Sequence, residues 1–375
     1  MQPITTLEIR GMSRAFGATY AIEDFNLTID GGTFVTLLGP SGCGKSTALN
    51  CLAGLLELTS GEILLNGGPI QDVPAEKRGF GMVFQNYALF PHLTVIRNVS
   101  YGLELRQITT TERDRRIKLA LDLVHLDIEQ FGHRYPGQLS GGQQQRLAIA
   151  RTIVLEPQLL LLDEPLSNLD AKLRGEMRIE IKRLHKELGL TTVYVTHDQS
   201  EAMSLSDKVV VMRQGRIEQV GSPQDIYTCP NSLYVADFMG YANRIPVTLR
   251  DREGAEWVVE SAGGLTLRGT CTVADSADWQ PGMPLLACSR PEDMSIDQGS
   301  CNQMNGDVRL VEYVGQAYES VVRLENHDQT RLLVHSEVAP PIDSQVSFTI
   351  RPSRLLLFPF EEPVTGRSAA RQAYG

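Results

Sequence analysis

The sequence predicts two domains of different class: an α/β domain built on a parallel sheet with a helical insert, then a small all-β domain. Three observations carry this reading. An apolar strand, a glycine-rich loop and a helix follow one another at residues 33–55. A second apolar strand ends in two adjacent carboxylates, Asp163 and Glu164. Beyond about residue 240, helical periodicity fades and short alternating segments take over.

The first element is Thr33-Phe-Val-Thr-Leu-Leu38, apolar and β-branched enough for a buried parallel strand. Gly39-Pro40-Ser41-Gly42-Cys43-Gly44-Lys45-Ser46-Thr47 follows and matches G-x-x-x-x-G-K-[ST]. Leu49, Leu52 and Ala53 then recur at helical spacing. Glycines let the backbone curl so that successive N–H groups point inward, and the new helix adds its positive end. Lys45 supplies a point charge for β- and γ-phosphates, and Ser46 a hydroxyl for Mg²⁺. Residues 39–47 are thus a candidate triphosphate cradle, and the α/β domain is expected to be of the P-loop NTPase type.

Around this loop, Leu7–Arg10 and Tyr20–Ile29 alternate like antiparallel strands, and Gly61–Gly67 reads as another strand. Residues 112–156 carry Leu, Arg, Gln and Ala at helical spacing, giving a helical subdomain over about 86–156. Strands return at 158–162 and 191–196, separated by an amphipathic helix over Lys172–Leu188. A hairpin spans Lys208–Val220 with Gln214-Gly215 as its turn. These elements place the first domain at residues 1–240. Residues 241–375 hold segments such as Pro284–Ser289, Asp307–Val314, Ser320–Leu324, Arg331–His335 and Gln345–Ile350, the pattern of a small barrel. Glu361–Gly375 reads as a loose polar tail.

In Leu159-Leu-Leu-Leu-Asp163-Glu164-Pro165, the strand delivers carboxylates to its C-terminal end, where doubly wound sheets bind ligands. Asp163 is expected in the Mg²⁺ shell, and Glu164 is expected to polarise an attacking water. Leu139-Ser140-Gly141-Gly142-Gln143 opens another helix, with Ser140 as cap and the helix N-terminus aimed at an anion.

The net charge is −10, and residues 1–240 hold 23 basic against 27 acidic side chains, residues 241–375 hold 12 against 18. Neither half is basic, and no lysine follows Lys208, which argues against nucleic acid as partner. The six cysteines form no C-x-x-C pair, so zinc is not expected. Cys43 inside the loop points to a reducing compartment, and its alkylation is expected to block the nucleotide. The N-terminus lacks the basic and apolar regions of a signal peptide, and no run of 18 apolar residues exists, so a membrane role must go through a partner.

The glycine loop, Leu139-Ser-Gly-Gly-Gln143, Leu162-Asp-Glu-Pro165, Ser167-Asn-Leu-Asp170 and Thr196-His-Asp198 stand in the order of the ABC-transporter ATPases, which residues 7–240 resemble. The resemblance implies that Ser140, Gly141, Gly142 and Gln143 of one subunit close on ATP held by the other, so that a homodimer sandwiches two nucleotides. It implies that Gln85 touches the metal and the attacking water, that His197 contacts the γ-phosphate and orients water with Glu164, and that Asp170 lies at the dimer contact. Phe16 would stack on adenine and Ala21 line the sugar. Asn168 departs from the family's commoner alanine.

Asn86–Thr94 resembles importer ATPases, where this region docks a permease helix. Tyr87, Leu89 and Phe90 suit a groove for such a helix, or equally the core of the helical insert. Ser289-Arg-Pro-Glu-Asp293 and Phe348-Thr-Ile-Arg-Pro352 resemble the transport-associated OB-type domain of maltose, polyamine, ferric-ion, sulfate and glycerol-phosphate importers. The implied protein is an importer ATPase at the cytoplasmic face of the membrane, peripheral, working with permease subunits and an extracytoplasmic solute-binding protein. Polyamine or ferric-ion uptake is the first expectation. Sugar, organophosphate, phosphonate or sulfate uptake comes second, ahead of an exporter. A soluble DNA-repair ATPase is disfavoured because only 94 residues separate Lys45 from Ser140, with no heptad run between them.

Overall fold

The computed structural model describes residues 4–296, 301–327 and 330–360; the expected tail at 361–375 lies outside the described residues. The chain divides into two compact units, Met1–Ile226 and Tyr227–Gly375.

In chain order the first unit runs β1 (Thr6–Phe16), β2 (Thr19–Asp30), β3 (Phe34–Leu38), α1 (Lys45–Ala53), β4 (Ser60–Leu65), β5 (Gly68–Pro69), β6 (Phe80–Val83), α2 (Val95–Leu105) and α3 (Thr110–Leu123). It continues with α4 (Ile128–Phe131), α5 (Gly141–Ile153), β7 (Leu159–Asp163), α6 (Ala171–Leu188), β8 (Thr191–Thr196), α7 (Gln199–Leu205), β9 (Lys208–Arg213) and β10 (Arg216–Gly221). One sheet has the order β10-β9-β3-β8-β7-β6, and β9, β3, β8, β7 and β6 run parallel. Its strands β3, β7 and β8 read as continuous apolar runs because both faces are covered, and all but the last residue of β7 are buried. A four-stranded antiparallel sheet, β2-β1-β4-β5, contributes Leu7, Ile9, Phe25 and Ile63 to a core shared with β3 and α1. The opposite face of the parallel sheet joins the helical subdomain through Leu160, Leu162, Leu147 and Val99.

Register decides where chemistry can occur. Leu38 pairs with Thr196, Asp163 with Val195, and Val83 with Leu162. The carboxyl ends of β3, β6, β7 and β8 therefore finish side by side, and the segments that follow them share one edge.

In the second unit, α9 (Leu233–Phe238) follows α8 (Pro223–Thr228), in which the division falls. Then come β11 (Asn243–Glu253), β12 (Glu256–Ser261), β13 (Thr266–Gly269), β14 (Pro284–Ser289), β15 (Met294–Ser295), β16 (Met304–Tyr313), β17 (Tyr318–Leu324), β18 (Arg331–Ser336), β19 (Gln345–Ile350) and β20 (Leu356–Pro359). Two five-stranded antiparallel sheets, β13-β12-β11-β14-β20 and β15-β19-β16-β17-β18, enclose one core with Ile245, Trp257, Leu285, Val322 and Phe348. This is the barrel-like, OB-type arrangement.

The boundary lies before the composition change at 240, and Arg290 explains why. Its guanidinium is buried between the rings of Tyr227 and Tyr241, 3.6 and 4.0 Å from their centroids. It donates from Nε to the Met239 carbonyl at 2.9 Å and from Nη2 to the Tyr227 carbonyl. One desolvated cation thus binds residues 227–241 to the β unit.

A candidate nucleoside triphosphate site

The loop after β3 has the backbone its glycines allow. Gly42 and Gly44 sit at φ 80° and 104°, and a Cβ at Gly44 would lie 2.4 Å from the Ala21 carbonyl oxygen. Only glycine fits there. Ala21 thus adjoins the loop through its backbone. No side chain caps α1, and its first turn holds no acidic residue, so its N–H groups and positive end face the loop. Lys45 is 4% exposed, and its Nζ donates to the carbonyls of Gly39 and Pro40, both at 2.9 Å. Cys43 is also 4% exposed, and burial raises its thiol above the usual range, partly countered by Lys45. The thiol is sheltered inside the loop, as a small side chain that fills it.

Ser46 Oγ donates to Asp163 Oδ1 at 2.8 Å, which joins the loop to the end of β7. Burial holds the Asp163 carboxyl above its usual range, with Ser46 acting in the opposite direction. Glu164 follows with φ 42°, a left-handed conformation that turns its carboxylate away from the strand. Its Oε2 lies 3.3 Å from His197 Nδ1 and accepts from Gln85 Nε2 at 3.4 Å. Glutamate, histidine and glutamine from three different strand ends therefore meet around one carboxylate oxygen.

Two residues from the following loop complete this group. Ser167 Oγ donates to the Glu164 carbonyl at 2.9 Å and lies 3.3 Å from Gln85 Nε2. Asn168 Nδ2 donates to the Gln85 carbonyl at 2.8 Å. The departure at Asn168 was visible in the sequence, and here it tethers the glutamine loop. Ser167 opens the Ser167–Asp170 motif, but its contact with Gln85, distant along the chain, appears only in the fold.

Ser140 caps α5 in a reciprocal box: its Oγ accepts from Gln143 N at 3.4 Å, while Gln143 Oε1 accepts from Ser140 N at 2.9 Å. Gly141 and Gly142 lie against Leu169 and Leu173, where a Cβ at Gly142 would meet Leu173 at 2.8 Å. Among the described residues, no hydrogen bond joins 140–143 to the loop at 39–47 of the same chain. Asp170 Oδ1 accepts from Leu173 N at 2.9 Å and caps α6. Phe16 is half exposed at the end of β1, and the Arg14 guanidinium lies 4.7 Å from its ring centroid.

Of the three apolar residues after Gln85, Tyr87 and Leu89 pack with the core, Tyr87 fully and Leu89 in part. Arg151 donates to the carbonyls of Tyr87 and Ala88 and lies 5.3 Å from the Phe90 ring centroid. Phe90 instead lines an open groove of about 410 Å³ with Phe84, Ala88, Tyr101, Arg151 and Leu155.

A phosphate cradle, a carboxylate beside a hydroxyl, and a glutamate faced by histidine and glutamine define a P-loop ATPase. Residues 22–167 match the ABC transporter family, and residues 287–358 match the TOBE domain. The chain belongs to the ABC transporter family, as an import-type ATP-binding subunit with a C-terminal TOBE domain. It is 45% identical over 350 residues to the spermidine/putrescine import ATP-binding protein PotA of Oleidesulfovibrio alaskensis, covering 91% of this chain and 92% of that one. It is 44% identical over 346 residues to the Fe(3+) ions import ATP-binding protein FbpC of Brucella abortus, covering 92% and 96%. Among solved structures, the bacterial ABC transporter cassette MJ0796, solved as a dimer, matches with a TM-score of 0.53 and 33% identity. That match covers 58% of this chain and 98% of the cassette. CbiO1 of Clostridium perfringens, part of an ABC transporter complex, matches with a TM-score of 0.55 and 31% identity, covering 60% and 91%.

Proposed function

We propose that two copies of this chain hydrolyse ATP beneath a permease to drive import of a cationic solute, a polyamine or a ferric species, delivered by an extracytoplasmic binding protein. The observation that carries the reading is the meeting of Gln85, Glu164 and His197 beside the Ser46–Asp163 pair at one sheet edge.

ATP would lie with its phosphates on residues 39–47 and Lys45, and its adenine on the free face of Phe16, with Ala21 beside the sugar. The oxygen donors of Ser46, Asp163 and Gln85 suit a hard cation, and Mg²⁺ when bound would neutralise triphosphate charge. Glu164 takes a proton from the attacking water, while His197 and Gln85 orient that water and steady the carboxylate. Residues 140–143 make no hydrogen bond to their own chain's loop. Their helix N-terminus is therefore available to the nucleotide of a second copy, with Asp170 at the contact. The family's dimeric cassette supports such pairing.

No described helix is long and apolar enough to cross a membrane. Attachment would go through the permease, at the cytoplasmic face. The groove beside Phe90 would take an apolar helix of that permease, and Arg151 links it to the backbone after Gln85. The relatives' names support the solute class. Reconstitution with the permease and binding protein tests it. Spermidine, putrescine or ferric ion should stimulate hydrolysis, whereas stimulation only by a sugar, sulfate or phosphonate would contradict the assignment.

A further inference from the structure

We infer that Arg174 is a positioning residue that couples the loop Ser167–Asp170 to the loop carrying His197. The inference rests on the catalytic reading of Glu164 and His197 given above.

Arg174 lies one turn into α6. Its backbone N donates to the Asp170 carbonyl at 2.8 Å, and its Nη2 donates to the Leu169 carbonyl at 3.1 Å. The same guanidinium faces two carboxylates from the other side: Nη1 lies 3.7 Å from Asp198 Oδ2, and Nε lies 4.0 Å from Glu201 Oε1. Nε is buried and makes no hydrogen bond, so a charged donor is aimed at Glu201 without being spent elsewhere.

Both neighbours of His197 are held by this group. Thr196 Oγ1 donates to Glu201 Oε2 at 2.6 Å, and Tyr194 OH donates to the same oxygen at 2.8 Å. Asp198 N donates to Thr196 Oγ1 at 3.0 Å, and Asp198 Oδ1 accepts from Glu201 N at 3.0 Å as it caps α7. Glu201 is only 4% exposed, so these bonds act in a poorly solvated setting where they are stiff. His197 itself extends from this clamp, half exposed, to reach Glu164 at 3.3 Å. At its other end the loop 167–170 touches Glu164 and Gln85 through Ser167 and Asn168. Arg174 closes the ring: a displacement of the loop reaches the histidine through one rigid side chain.

The test uses the full chain, with steady-state and single-turnover hydrolysis. Arg174→Ala should lower kcat about tenfold with the ATP KM changed by less than about twofold, because positioning acts on the transition state and not on binding. In a His197→Ala background the same substitution should cost nothing more, since the two residues act as one unit. Arg174→Lys should recover about half of the lost rate, because an ammonium can still reach the Leu169 carbonyl and Asp198. If Arg174→Ala does not fold, Arg174→Lys and Glu201→Gln carry the same comparison. A wild-type kcat, a raised KM at unchanged kcat, or a loss that multiplies onto that of His197→Ala would overturn the inference. Normal hydrolysis by His197→Ala alone would instead overturn the catalytic reading, and this inference with it.

Discussion

Glu164→Gln isolates the chemistry from the binding. Gln has nearly the shape of Glu and keeps an oxygen to accept from Gln85 Nε2, so the contact at 3.4 Å survives. The backbone bonds also survive, because Glu164 N donates to the Val195 carbonyl at 3.1 Å and its own carbonyl accepts from Ser167. What disappears is the negative charge 3.3 Å from His197 Nδ1, and with it the capacity to accept a proton from water. General-base catalysis contributes on the order of 10²–10⁴-fold, equal to about 3–5 kcal/mol of barrier at about 1.4 kcal/mol per decade. Single-turnover hydrolysis of radiolabelled ATP, followed by quench and phosphate counting, reads this loss directly. A filter-binding titration beside it should give an ATP affinity within about threefold of the parent, because the substitution leaves the cradle untouched. A rate reduced by less than about fivefold would place the base elsewhere and refute the reasoning.

Three further outcomes follow from the same geometry. Gly44→Ala forces a Cβ to within 2.4 Å of the Ala21 carbonyl at φ 104°, so isothermal titration should show ATP affinity down by more than about tenfold. Burial raises the Asp163 carboxyl in the fold, so its charge weakens the fold at neutral pH, and that penalty fades as pH falls through the folded value. In nucleotide-free thermal melts, Asp163→Asn should therefore melt above the parent at pH 7, with the gap narrowing as pH falls; a gap that widens would reverse the sign. Arg290→Ala strips two hydrogen bonds and two ring contacts and leaves the half-buried Asp293 with Arg354 as its remaining cation. The cost should be about 3–5 kcal/mol in urea unfolding, with faster hydrogen exchange over residues 227–241; a cost under about 1 kcal/mol would count against the sandwich.

The phosphate loop and both carboxylates were legible because their signal is local: a strand, a few residues and a helix, all contiguous. The sheet edge that gathers Gln85, Asp163 and His197 was legible only in outline, since strand order and register are set by pairings such as Leu38 with Thr196. Tyr87 shows why its placement stayed open: a left-handed backbone at φ 63° buries a ring that periodicity could not assign to either side. Composition changes near residue 240 because it reports strand content, whereas residues 227–241 are held by one cation, Arg290, far along the chain. Arg174 falls within the helix the sequence predicts over Lys172–Leu188, but only the fold sets it 4.0 Å from Glu201.

The central claim is that each working site is shared between two copies, the loop 39–47 from one and residues 140–143 from the other. Lys45→Ala and Gly141→Asp should each abolish hydrolysis as pure proteins. Mixed in equal amounts, they form heterodimers that carry one intact site, and hydrolysis should return to about a quarter of the parent rate. A mixture no more active than its two components would contradict a shared site.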